Sequence, residues 1–146
     1  MKSGFAPAMG EITVLFVDDS PDVRFAYGLE ASAAGFRFEL ATDGHEALAM
    51  ALHLRPDVVV TEALLYGLDG FELTRLLAMG PHTRSIPVIM ITALSLLNLP
   101  ARARAVGCSA VLRKPCSFLA IERTIRRVLR EAADASAQGA VSRVDR

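Results

Sequence analysis

Residues 12–21 read ITVLFVDDSP. The first six are apolar apart from Thr13 and rich in β-branched and aromatic side chains. A short unbroken run of this kind is the mark of a strand covered on both faces, as strands of a parallel sheet are. Asp18 and Asp19 close the run. Ser20 before Pro21 then signals a helix start, a hydroxyl N-cap followed by proline at the first helical position. That helix is expected to reach about Ala34, with Gly35 as its stop.

The same alternation continues along the chain. Arg37–Leu40 reads as a second strand, and Thr42-Asp43-Gly44 opens a helix from His45 to Leu54 with Ala47, Leu48, Ala51 and Leu52 at helical spacing. Pro56 ends it, and Val58–Thr61 (VVVT) is a third, buried strand. Asp69, in the turn Gly67-Leu68-Asp69-Gly70, is placed to cap a helix over Phe71–Met79, which Gly80-Pro81 breaks. Pro87–Thr92 and Ala110–Arg113 are strands four and five, with a helix over Pro100–Val106 between them. The last helix, Ser117–Ala133, carries an apolar stripe of Phe118, Ile121, Ile125, Val128 and Leu129. Strand and helix alternating five times predict an α/β fold, a parallel sheet with helices on both faces and right-handed crossovers.

Composition bounds what such a fold does. The 146 residues suffice for one domain; 52% are hydrophobic and 22% charged, which excludes a disordered chain. Sixteen basic residues balance sixteen acidic ones, without the basic excess of a dedicated nucleic-acid binder. No apolar run approaches the roughly 20 residues of a membrane span. The opening MKSGFAPAMG has no apolar block of a secretory signal, and two cysteines without metal-type spacing suit a reducing, cytoplasmic setting. Residues 1–10 read as a flexible N-terminus, 11–133 as the domain, and 134–146 (DASAQGAVSRVDR) as a flexible, solvated C-terminal tail.

In an open parallel sheet, ligands gather beyond the carboxyl ends of the strands. Those ends carry Asp18 and Asp19 after strand one, Glu62 after strand three, Thr92 closing strand four and Lys114 after strand five. Three carboxylates, a hydroxyl and an ammonium are thus aimed at one place. Any one of them is ordinary strand-end punctuation; the five together make a site. Fourteen of the sixteen basic residues are Arg, leaving only Lys2 and Lys114. Retaining Lys114 directly before Pro115 suggests a need for a compact point charge. Crowding three carboxylates around one ammonium is expected to push at least one carboxyl pKa upward.

The stretches FVDDSPDVR (16–24), ATDGHEAL (41–48), RPDVVVTEALLYGLDGFEL (55–73), PHTRSIPVIMITAL (81–94) and GCSAVLRKP (107–115) resemble the receiver domain of bacterial two-component response regulators. The resemblance covers about residues 11–131, and the 43, 30 and 22 residues from Asp19 to Glu62, to Thr92 and to Lys114 fit it. It implies a flavodoxin-like, doubly wound five-stranded sheet of order 2-1-3-4-5. In that family an acidic pair and an acceptor Asp hold Mg²⁺, the acceptor takes a phosphoryl group from a histidine kinase, and a Thr or Ser and a Lys bind the phosphoryl oxygens. The resemblance maps these roles onto Asp18, Asp19, Thr92 and Lys114, and the acceptor onto position 62, which is Glu62.

One added methylene displaces the carboxylate by about 1.5 Å, and misplacement of about 1 Å costs in-line phosphoryl transfer roughly 10²-fold. The expectation is a non-enzymatic, phosphorylation-independent signalling module in which Lys114 and Thr92 engage the Glu62 carboxylate directly. The alternative is a phosphorylatable regulator with residual chemistry at Glu62 or a neighbouring Asp. A flavin- or nucleotide-binding enzyme on the same fold ranks below both, since no Gly-rich loop follows strand one. Asp18, Asp19 and Glu62 are hard oxygen donors suited to Mg²⁺, while Glu62 is itself long enough to fill the metal position. The family's aromatic switch residue, three before the conserved Lys, is Val111 here, which places the usual coupling in question. Tyr66 stands where the family has Pro; it is expected either to lie over the pocket mouth or, as the favoured reading, to cover apolar surface.

Two surfaces stand out. Leu94, Leu96, Leu97 and Leu99 crowd six residues ahead of helix four; some are expected to turn inward, but one loop-to-helix junction does not readily bury all four, which suggests a contact patch for a partner or a second copy that includes Leu96, Leu97 and Leu99. Arg123, Arg126, Arg127 and Arg130 lie opposite the stripe of the last helix, either a solvated face or a dock for an acidic partner. In the family, helix four, strand five and helix five form a dimerisation or output face, so the expected partners are a histidine kinase, another regulator, an effector or a second copy. With no output domain after residue 133, an adaptor or sequestering role is expected. Cys108 and Cys116 read as ordinary thiols flanking strand five.

Overall fold

The computed structural model describes residues 11–144. The expected flexible N-terminus, 1–10, lies outside the described residues. Five strands and five helices alternate: β1 (Thr13–Val17), α1 (Pro21–Ala33), β2 (Arg37–Ala41), α2 (Gly44–Leu54), β3 (Val58–Thr61), α3 (Gly70–Met79), β4 (Val88–Thr92), α4 (Leu99–Val106), β5 (Ala110–Arg113) and α5 (Phe118–Val144). The strands form one parallel sheet of order β2-β1-β3-β4-β5. This is the flavodoxin-like doubly wound topology that the strand–helix alternation and the resemblance lead one to expect.

Alternation along the strands splits the core in two. Val14, Phe16, Val58, Val60, Ile89 and Ile91 pack with Tyr27 and Ala31 of α1 and Phe118, Ile121, Ile125 and Val128 of α5. Leu15, Val17, Val59, Val88 and Met90 face the other way, onto Ala47 and Ala51 of α2, Leu73 and Leu77 of α3, and Leu99 and Ala103 of α4. Burial on both faces is why β1 and β3 read as unbroken apolar runs rather than alternating ones.

Short polar side chains start the helices. Ser20 accepts from the Val23 N–H at 3.3 Å, Asp43 from Glu46 at 2.8 Å, Asp69 from Glu72 at 2.9 Å and Ser117 from Ala120 at 3.2 Å. Each cap satisfies a donor that the helix's own ladder leaves free. Because every helix begins beyond a strand's carboxyl end, the caps pin the loops of that side of the sheet.

The end of the chain departs from expectation. α5 continues through Val144, past the end expected at Ala133, so residues 134–144 are helical; residues 145 and 146 of the expected tail lie outside the described residues. Ala132, Ala133, Ala135 and Ala137 are strong helix formers with no proline among them, and propensity carries the helix on after the apolar stripe ends. Residues 133–138 are exposed, in keeping with a solvated segment.

The leucine patch is also corrected. Leu99 is 1% exposed, and Leu94 and Leu96 pack against the α2–α4 core; only Leu97, 88% exposed, stands free. Asn98, in the left-handed region at φ 62°, turns the chain just before α4, which lets Leu96 and Leu99 fall on the inner side. Tyr66 is 87% exposed and covers nothing.

Candidate functional site

Four of the five singled-out residues meet at the carboxyl end of the sheet. β1 delivers Asp18, which is 2% exposed, and β3 delivers Glu62, which is 8% exposed. Thr92, the last residue of β4, is fully buried, and Lys114 follows β5. The peptide N–H groups of Asp18 and Glu62 extend the sheet's ladder, to Ala41 at 3.1 Å and Val17 at 2.9 Å, so both carboxylates are carried by rigid backbone. The Lys114 N–H likewise bonds the Thr92 carbonyl at 3.0 Å.

The Lys114 ammonium sits between the two carboxylates, 2.9 Å from Asp18 Oδ2 and 2.7 Å from Glu62 Oε1. The second Glu62 oxygen, Oε2, accepts from Thr92 Oγ1 at 2.5 Å and from the N–H groups of Ala63 and Leu64 at 2.7 and 3.1 Å. Asp18 Oδ1 accepts from the Ser20 N–H at 2.9 Å. Thr92 Oγ1, having donated to Glu62, accepts from the Leu94 N–H at 3.0 Å. Among the described residues no buried side-chain nitrogen or oxygen lacks a partner.

Burial alone pushes the Glu62 carboxyl up. The bonds from Lys114, Thr92 and Leu64, with the Lys114 charge, outweigh it and hold the group below the ordinary carboxylate range. Crowded carboxylates are expected to shift upward; at Glu62 the shift is downward, because the ammonium touches the carboxylate rather than lying near it. Burial would lower Lys114, and its bonds to Glu62 and Asp18 raise it instead. The pair stays charged across the physiological range.

Asp19 does not join the cluster. It is exposed at the mouth of a cleft of about 350 Å³ whose walls include Asp18, Glu62, Thr92 and Lys114. The donor types suit Mg²⁺, but the arrangement does not fit it. Both Asp18 oxygens and both Glu62 oxygens are taken by protein donors, and among the described residues no three acidic, histidine or cysteine side chains converge on one point. Asp18, Asp19 and Glu62 as a metal set are therefore not what the structure assembles.

Some functional contacts escaped the sequence reading. The Arg24 guanidinium clamps the Asp18 carbonyl at 2.7 Å; its place six residues after Asp18, one turn into α1, was a usable signal. The Ala63 and Leu64 amides carry no residue-type signal, because any residue offers an N–H. Beside the site lies a second, apolar cleft of about 560 Å³ between α1 and the ends of β4 and β5, lined by Val23, Ala26, Tyr27, Pro115 and Cys116 among others. On its wall the Tyr27 hydroxyl donates to the Cys116 carbonyl at 2.8 Å, and burial together with Cys116 pushes this phenol up to about 12. Both cysteines are free thiols; burial pushes Cys108 up to about 11, which suits an inert core thiol.

The outer residues divide. Val111 is half-buried and packs on the α2–α4 core, flooring a groove of about 390 Å³ with Leu96 and Leu99, which Arg104, Arg113 and Arg127 rim. The four arginines of α5 do not share one face. Arg126 stacks over the Phe36 ring at 4.9 Å and pairs with Glu122, and with Arg130 it borders a groove near Ile12. Arg127 turns to the β5 side, and Arg123 is exposed.

The fold and the strand-end cluster define a receiver of the two-component type. The model of the response regulator receiver domain matches residues 14–126, and the chain belongs to that family. It is 34% identical over 120 residues to the polar-differentiation response regulator DivK of Brucella anthropi, covering 82% of this chain and 98% of that protein. It is 37% identical over 109 residues to a gliding motility regulatory protein of Myxococcus xanthus, covering 75% of this chain but 14% of that protein. Others among the curated relatives are also spanned only in part, to 26% and 48% of their length. Among solved structures, the receiver domain of the sensor histidine kinase PA1611 from Pseudomonas aeruginosa matches with a TM-score of 0.75 and 26% identity, over 82% of this chain and 98% of that one. That domain holds a magnesium ion in its active-site cleft. Membership in this family replaces the flavin- or nucleotide-enzyme reading. Among the described residues no helix is long and apolar enough to cross a membrane.

Proposed function

We propose that this receiver signals by protein contact, independently of phosphorylation and without turnover of any substrate, and that Glu62 stands where the family carries its acceptor Asp. The observation that supports this most is the Glu62 carboxylate itself, bonded at once to Lys114 Nζ at 2.7 Å and Thr92 Oγ1 at 2.5 Å. Those are the two groups that would otherwise bind phosphoryl oxygens. A permanent side-chain charge satisfies them with no kinase involved, although it brings fewer oxygens and less charge than a phosphoryl group. With every Glu62 oxygen already accepting a bond, in-line attack on a phosphodonor would require the carboxylate to leave its partners.

The partner-facing surface in this reading is the groove between α4, β5 and α5. Arg104, Arg113 and Arg127 around an apolar floor suit an acidic partner, whether kinase, regulator or effector. The rim is tied to the site, because Arg113 Nη1 bonds the Leu94 carbonyl at 3.1 Å while the Leu94 N–H bonds Thr92 Oγ1. Val111 has no ring to swing, so this backbone link takes the place of a side-chain rotation.

Incubation with a small phosphodonor and Mg²⁺, followed by intact-mass measurement, tests the chemistry. The wild type is expected to stay unmodified, whereas Glu62→Asp gains a phosphoryl group; a modified Glu62 would overturn the reading. Capture of partners from the native cell should succeed with wild type and fail with Glu62→Ala.

A further inference from the structure

The sheet edge farthest from the Arg-rimmed groove is β2, which among the described residues pairs with β1 on one side only. The Arg37 N–H donates to the Ile12 carbonyl at 2.9 Å, and the Ala41 carbonyl accepts from Asp18 at 3.1 Å. Residues 37, 39 and 41 therefore turn their backbone groups inward. By the alternation of a strand, Phe38 and Leu40 turn theirs outward, an open template for another strand.

Above this edge, α1 carries a second seam. Val23, Tyr27 and Ala31 face the core. Phe25, Gly28, Leu29 and Ser32 recur at i, i+3, i+4 and i+7 on the outer side, and with Leu40 they help line a groove of about 440 Å³. Phe25 is 68% exposed, Leu29 58% and Leu40 39%. Glycine in mid-helix is costly relative to alanine. At Gly28 nothing among the described residues lies within 4 Å of where a Cβ would stand, which leaves room for a second helix to come close.

We infer that a second copy of this chain docks on this edge, β2 against β2, antiparallel about a two-fold axis through Phe38. The occupant follows from charge complementarity. With the axis at Phe38, Arg37 of each copy stands opposite Glu39 of the other, giving two cross-strand ion pairs. Centring on Arg37 or on Glu39 would set like charges face to face, and centring on Leu40 would oppose Glu39 to Ala41. The outward groups of Phe38 meet their own copies, and Leu40 faces Phe36 of the second chain. Within one copy Arg37 Nε already bonds Glu39 Oε2 at 2.9 Å on the same strand face, so docking shares these two charges between copies rather than pairing free ones. The two α1 seams then meet across the axis and bury Phe25 and Leu29, as an isologous interface requires. β5 is the opposite edge, so the Arg-rimmed groove and the strand-end cluster stay free in the dimer.

Sedimentation velocity of the full chain over roughly 1–200 µM tests this. A concentration-dependent dimer is expected. Arg37→Glu alone, or Glu39→Arg alone, weakens it by about tenfold or more, since two pairs become repulsive. The combined exchange restores it. Leu40→Pro removes an outward donor without touching the β1 ladder and abolishes the dimer while circular dichroism stays native. A monomer at every concentration overturns the inference. So does a dimer indifferent to the charge exchange, or one lost instead on changing Arg104 or Arg127.

Discussion

Lys114 is the residue on which the site's electrostatics turn. Asp18 and Glu62 are nearly buried and share its ammonium, so removing it leaves two carboxylates without their counter-charge. Lys114→Met is expected to lower unfolding free energy by about 2–4 kcal/mol. Glu62→Gln keeps the size and some of the bonds, so it should cost less; urea denaturation of the two variants gives the comparison. The pH dependence follows from the sign at Glu62. Its carboxyl is depressed in the folded state, so it contributes stability above the unfolded carboxyl pKa. That contribution disappears as pH falls through the folded value. Thermal melts from neutral pH down to strongly acidic pH should show a flatter acid limb for Glu62→Gln than for wild type. An identical limb would mean that the carboxylate gains nothing from its partners.

At the scale of elements, α3 is held against the end of β3 by a glycine. A Cβ on Gly70 would stand 2.2 Å from the Glu62 carbonyl oxygen and 2.9 Å from Ala63 Cα, both backbone atoms unable to yield cheaply. Gly70→Ala should therefore destabilise by about 3 kcal/mol and displace Glu62 from its partners. A chemical-shift perturbation centred on Ala63 and Leu64 would report that displacement. The far end of α5 behaves oppositely. Residues 133–138 are exposed, so deleting 134–146 should reduce the helical circular dichroism signal and leave the melting temperature within a few degrees. A large drop would show that the extension packs on something.

Across the whole molecule, net neutrality hides a separation of charge. Residues 11–72 carry twelve acidic and three basic side chains, whereas residues 73–121 carry six basic and none acidic. The sheet order sets β2, β1 and β3 on one side and β4 and β5 on the other, so the separation runs across the sheet. An acidic partner of the kind proposed would be steered to the α4–β5–α5 side by this field. Raising salt from about 50 to 500 mM should weaken its capture, chiefly through a slower association rate. Binding indifferent to salt would place the partner on another face.

The strand–helix order, the capping residues and the cluster of Asp18, Glu62, Thr92 and Lys114 at the strand ends were all legible in the chain, because periodicity and cap chemistry are local and a parallel sheet carries strand ends to one side. Which leucines before α4 turn inward, how the α5 arginines divide between two faces, and that Asp19 stays outside the cluster were settled only by packing. Each of those depends on the direction in which a side chain leaves its backbone, and a neighbouring element decides that direction. The Glu62 side-chain bonds belong to the same class: a carboxylate's reach is written in its residue type, but its side-chain partners, Thr92 and Lys114, lie thirty and fifty-two residues away.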